Sequence, residues 1–174
     1  MQRLNTRAQF QAAMSGGVIS RTAHFALHRL VLELPLQTAA DTPLSGPGSL
    51  PSVQGPQALF AVPGAIAPYN WIGPLIPKRW AKHSVTRHAI KRQVYAVAQD
   101  HQQQLQALPQ PAAFVVRLKT GFDRKQFVSA CSEPLKAAVR LELQQLFAQA
   151  IRRGAQPAKV QPAASAPPVA EGVV

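Results

Sequence analysis

Between Lys78 and Arg92 the chain places Lys78, Arg79, Lys82, Arg87, Lys91 and Arg92 together with His83 and His88, and not one Asp or Glu. Cations gathered without neutralising carboxylates suit one kind of chemistry, charge-assisted hydrogen bonding to phosphate. Folding of the segment does not account for them. If Ser84 caps a helix here, Arg87 falls in its first turn, where the helix dipole favours an acid by ~0.3–1 kcal/mol. Arg87 and Lys91 are four residues apart, as are His88 and Arg92, and like charges at that spacing cost ~0.2–0.5 kcal/mol per pair. These penalties share a sign, and a helix start whose backbone N–H groups and flanking cations converge on one anion gives them a purpose. A merely solvated basic face would normally carry interspersed Glu, which this segment lacks.

Protein-based hydrolysis would need different residues. A metal-dependent nuclease holds its cation with clustered carboxylates or His, whereas Glu33, Asp41, Asp100, Asp123, Glu133, Glu142 and Glu171 are scattered singly, two of them in low-complexity stretches. His24 and His28 share a strand face without further ligands, and Cys131 has no His near it in sequence and reads as packing. The expectation is no catalytic residue, no metal site and no cofactor in the protein alone.

The elements that must carry the basic run follow from periodicity. Arg3 to Met14 spaces Leu4, Phe10, Ala13 and Met14 for one side of a short helix that ends at Gly16-Gly17. His24 to Leu34 and Asn70 to Ile76 read as strands, the second interrupted by Gly73 and Pro74, with room for one more short strand after the insertion between them. With Ser84 as N-cap, a helix to about Leu108 aligns Val85, Ala89, Val94, Val97, Ala98, His101, Leu105 and Leu108 toward a core. Ala112 to Leu118 is a buried-looking strand, and a last helix begins near Ser132, has Pro134 in its first turn and runs to Arg153. Its apolar face is Leu135, Ala138, Val139, Leu143, Leu146, Phe147 and Ile151. The resulting order, α-β-β-α-β-α, describes an α+β fold, a two-layer sandwich of helices on a small mixed sheet.

Pro35 to Pro68 and Gly154 to Val174 are rich in Pro, Ala, Gly, Ser and Gln, a composition that cannot bury enough apolar area to order itself. The first reads as a long insertion in a loop, which closure entropy tolerates, and the second as a disordered tail. One domain over 1–153 is thus expected.

At 174 residues, with 19 Lys and Arg against 7 Asp and Glu, the formal charge is +12, an excess that repels itself and points to a polyanion. No run approaches the ~18–20 apolar residues of a membrane span, and Met1 to Arg7 leads into mixed sequence, not an apolar signal core. The lone Cys131 cannot form an internal disulfide. These features indicate a cytoplasmic protein that binds nucleic acid and not a membrane.

The run from Lys78 to Arg92, KRWAKHSVTRHAIKR, resembles the signature of the protein subunit of bacterial ribonuclease P, in which a basic pair precedes Ala-Val-x-Arg-Asn-x-x-Lys-Arg. Arg3-Leu4 with Phe10-Gln11, the stretch His24-Phe25-Ala26-Leu27, and Leu143-Gln144-Gln145-Leu146-Phe147 support the likeness. His88 stands where the family usually has Asn, keeping a hydrogen-bonding side chain but not an amide's paired donor and acceptor. The resemblance implies a left-handed β-α-β crossover, against the general right-handed rule, and membership of an endoribonuclease whose catalysis resides in RNA. It also implies that Lys78, Arg79, Lys82, Arg87, His88, Lys91 and Arg92 dock on the catalytic RNA subunit, with Mg2+ held in the RNA–protein holoenzyme. A cleft between the first helix and the sheet would hold the single-stranded 5′ leader of precursor tRNA; Phe10, Met14 and His28 could form its floor, although the same spacing suits core packing, and Phe25 and Leu27 face the core. No DNA partner is implied. A ribosomal protein or general RNA chaperone would share the charge and size, but would not prefer precursor over mature tRNA.

Overall fold

The fold is described from a computed structural model, for residues 1–32, 59–60, 69–123, 126–127 and 132–154. In chain order the elements are β1 (Gln2–Arg3), α1 (Arg7–Ser15), β2 (Val18–Arg21), β3 (Phe25–Val31), β4 (Trp71–Leu75), α2 (Ser84–Asp100), α3 (Gln102–Gln106), β5 (Ala112–Leu118) and α4 (Glu133–Gly154). The strands form one sheet in the order β1-β4-β5-β3-β2. β1, β4 and β5 run parallel, while β3 is antiparallel to β5 and β2 antiparallel to β3.

Strand alternation divides the core in two. Phe25, Leu27, Ile72, Phe114, Val116 and Leu118 meet Ile90, Val94 and Val97 of α2 and Leu143, Leu146 and Phe147 of α4. Trp71, Ala113 and Val115 point the other way and meet Ala13 of α1, with Phe10 and Met14 half-buried at the margin. The α+β class is therefore as the sequence indicates, but helices cover both faces of the sheet: α1 adds a third layer to the expected two.

Close backbone approach seats α1. A Cβ on Gly73 would fall 2.6 Å from the Phe10 ring, and one on Gly16 would overlap the Arg29 carbonyl oxygen. Gly17, at φ 89°, then turns the chain into β2 through a conformation that L-residues avoid. Asn70 holds the β4-to-β5 crossover: its amide nitrogen donates to the Leu105 carbonyl at 3.0 Å, and its amide oxygen accepts from the Ala112 N–H at 2.8 Å.

Several boundaries differ from expectation for identifiable reasons. Thr6 and Gln9 form a capping box, so α1 begins at Arg7 and releases Gln2–Arg3 to pair with β4. The additional strands are β1 and β2, not one following the insertion, and β3 is shorter than His24 to Leu34. The long helix breaks at His101, whose Nδ1 hydrogen-bonds the Val97 carbonyl and whose ring stacks on Phe147 with centroids 5.8 Å apart. Ser84 is not the cap of α2; extended His83 occupies that position and makes no side-chain capping bond. Val85, expected on the apolar face, is 55% exposed.

Within the Pro-rich insertion, read as unfolded, Phe60 is buried against the Trp71 edge, and the Leu59 carbonyl accepts from the Gln9 amide at 2.8 Å. The rest of that insertion, the tail beyond Gly154 and Cys131 lie outside the described residues.

Candidate nucleic-acid interface

The basic run occupies a turn and the first half of α2. Pro77 makes the turn, its carbonyl accepting from the N–H groups of Trp80 at 3.1 Å and Ala81 at 3.2 Å. The turn rests on Gly121, where a Cβ would meet the Trp80 carbonyl at 2.9 Å. Lys78, Arg79 and Lys82 are exposed along it, and the Arg79 guanidinium lies 5.3 Å from the Trp80 ring centroid.

Arg87 behaves differently from its neighbours. Its Nη1 donates to the carbonyls of Ala81 at 3.0 Å and Lys82 at 2.7 Å. That explains a cation in the first turn of a helix: the preceding carbonyls satisfy it, and it straps the turn to α2. Arg87 is thereby drawn back onto the turn that precedes its helix.

His88, Lys91 and Arg92 are exposed, and their spacing puts them on one side of α2 with Tyr95 a further turn along. The four residues line a cavity of about 370 Å3 with Arg3. Arg3 arrives through β1: it pairs with Ile72, which faces α2, and cross-strand partners share a face. Its guanidinium carbon sits 4.4 Å from the Tyr95 ring centroid, a cation–π distance. Burial pushes the Tyr95 hydroxyl up from its ordinary pKa, with Arg3 acting in the opposite sense, so the ring is a neutral phenol. The contacts His24–Glu142, Lys136–Glu133 and Arg140–Asp100 lie elsewhere and take none of Arg3, His88, Lys91 and Arg92. Arg3 and Tyr95 were not selected from sequence, although Tyr95 lies four residues beyond Lys91 and three beyond Arg92.

The second predicted surface lies across the sheet. Phe10 and Leu4 both lie against Gly73, and Phe10 packs half-buried against the smaller core. His28 is buried, with Nδ1 donating to the Met14 carbonyl at 3.3 Å. Burial pulls the His28 imidazole below its usual pKa, Arg117 and Arg21 add to the effect, and the Met14 hydrogen bond opposes it. Register places Leu75, Arg117, Ala26 and Arg21 in one row beside the row of Gly73, Val115 and His28. Phe10, Met14 and His28 are thus brought together under α1, with half-buried Arg117 and exposed Arg21 alongside. The sequence signal for Arg117 was available: it is the one cation in an otherwise apolar strand.

His24 lies just before β3 and so does not share a strand face with His28 as expected; its Nδ1 lies 2.5 Å from the Glu142 carboxylate on α4. Among the described residues no group of three or more His, Cys, Asp or Glu is placed to hold a metal ion, and no helix is long and apolar enough to cross a membrane.

The Ribonuclease P family profile matches residues 1–150. No curated protein sequence matches the chain. A solved structure of the Staphylococcus aureus RNase P protein is similar at 13% identity and a TM-score of 0.46, covering 87% of this chain and 94% of that one. By the family match, which takes in every element from β1 to most of α4, the chain belongs to the Ribonuclease P family and has its role in the ribonuclease P holoenzyme, in association with the RNase P RNA.

Proposed function

We propose that this protein is the RNA-binding subunit that assists removal of the 5′ leader from precursor tRNA in the cytoplasm. The observation that carries the reading is the exposed set His88, Lys91 and Arg92, joined by Arg3 across the sheet edge and left without carboxylate partners among the described residues. Such a surface binds a ribose-phosphate backbone by displacing condensed counterions. Lys78, Arg79 and Lys82 extend the contact along the turn, and Arg87 holds that turn in place. The N-terminus of α2, which has no side-chain capping bond, adds to the same positive field.

The α1 face supplies the second contact, to the leader strand. Met14, His28 and the edge of Phe10 offer an apolar floor for unstacked bases, and Arg117 and Arg21 offer cations for the intervening phosphates. The protein supplies binding and orientation; activation of the attacking water falls to Mg2+ held mainly by the RNA.

Reconstitution with the catalytic RNA at low Mg2+ tests the reading: added protein should restore 5′ processing. Lys91→Ala and Arg92→Ala should weaken holoenzyme assembly, and each should reduce the salt slope of binding by ~0.7–0.9. An unchanged slope in both would refute the assigned surface. Met14→Ala together with Arg117→Ala should instead weaken precursor binding and leave assembly intact. Equal losses for mature tRNA would remove the leader assignment.

A further inference from the structure

The cavity between β1 and α2 combines two features that a backbone-tracking surface does not require. One is an aromatic ring among cations: Tyr95 shares the cavity with Arg3, His88, Lys91 and Arg92. The other is the guanidinium of Arg3 lying over that ring, 4.4 Å from its centroid. A guanidinium docked on an aromatic face keeps its outer face for a second planar group, and its planarity suits stacking in a way an ammonium does not. Arg3 is exposed on the sheet edge, so that outer face is open to a ligand. A volume of about 370 Å3 is near the lower end of the ~300–1,000 Å3 occupied by small-ligand sites.

We infer that this cavity receives one unpaired nucleotide of an RNA, its base stacked on the Arg3–Tyr95 pair and its phosphate held by Lys91, Arg92 and His88. The inference rests on the RNA-binding reading above and narrows it. Bases inside a duplex are stacked on each other and cannot offer a π face, so the ligand is a bulged or looped-out nucleotide. A neutral Tyr95 phenol adds no charge to repel the phosphate beside it. Base–aromatic stacking tolerates any base, with purines favoured for their larger face.

The test uses the full chain and three RNA hairpins: a fully paired stem, the same stem with a single bulged adenosine, and that stem with an abasic residue at the bulge. The second and third carry the same number of phosphates, so they differ only in the base. The wild-type protein should bind the adenosine bulge about tenfold more tightly than the other two, equivalent to ~1.4 kcal/mol. Arg3→Lys keeps the charge but not the planar group, and Tyr95→Leu removes the ring. Both should lower the ratio of adenosine-bulge to abasic-bulge affinity from about tenfold to about one, and Tyr95→Phe should retain the preference. Should Tyr95→Leu fail to fold, the exposed Arg3→Lys decides the matter. Equal binding of adenosine and abasic bulges by the wild type, or an intact preference in Arg3→Lys, overturns the inference while salt-dependent binding to all three stems leaves the broader function standing. Absence of salt-dependent binding to any of them overturns both.

Discussion

Arg87 and Lys91 carry the same charge on the same helix and should fail differently when removed. Arg87→Ala deletes two hydrogen bonds from a charged donor to the Ala81 and Lys82 carbonyls. Bonds of that type contribute ~1.5–3 kcal/mol, and partial exposure sets the expected loss at the lower end. It should lower the melting temperature while the salt slope of RNA binding changes little; Lys91→Ala should do the reverse, and thermal melts beside a salt titration separate them. The sequence identified both as cations without acids nearby, but no periodicity says whether a side chain turns outward or back onto its own turn. His28 carries a pH consequence. Its folded pKa is depressed below 6.5, chiefly by burial, so below pH 6.5 the unfolded chain takes up a proton that the native state refuses. This contribution to stability is complete above pH 6.5 and declines as pH falls from there toward the lower folded value. Urea midpoints at pH 7.5 and pH 5 should therefore differ less in His28→Gln than in the wild type.

The elements were legible to different degrees. Ala112–Leu118 was readable to the residue because a central strand buried on both faces is apolar almost throughout. α4 was readable because Leu135, Val139, Leu143 and Leu146 repeat at helical spacing and are all buried. β1 and β2 were not, since two and four residues are too few for a period, and both owe their existence to partners far along the chain. The break between α2 and α3 was also hidden, because it depends on the packing of His101 against Phe147. Asn70 joins three of these elements, and its substitution should be felt in all of them. Asn70→Ala strands the Leu105 carbonyl and the Ala112 N–H, at ~1–3 kcal/mol for each group left unsatisfied. Asn70→Asp should be worse, because it sets a carboxylate oxygen against the Leu105 carbonyl; chemical denaturation should rank the two in that order. Gly73→Ala drives a methyl into the Phe10 ring, and overpacking of this kind costs ~1–3 kcal/mol. It should lift α1 and weaken precursor binding more than assembly.

At the scale of the molecule, the sheet separates the two surfaces, one under α1 and the other on α2 at the β1 edge. Variants on opposite faces should therefore combine additively, within ~0.3–0.5 kcal/mol, in RNA affinity, and Met14→Ala with Lys91→Ala is a pair that tests it. The charge of +12 indicated a polyanion correctly in kind, but its division between two sides of a sheet depends on register, which a charge count does not contain. Arg3 sits in a strand of two residues that is held to β4 by the Gln2 N–H to the Asn70 carbonyl at 2.8 Å and the Leu4 N–H to the Ile72 carbonyl at 2.9 Å. So short an edge can open without disturbing the rest of the sheet. In the free protein those two amides should trade hydrogen for deuterium quickly while the centre of β5 stays protected, and an RNA that pins Arg3 down should slow them, so that occupancy is written in the exchange rate of a strand that never touches the ligand with its own backbone.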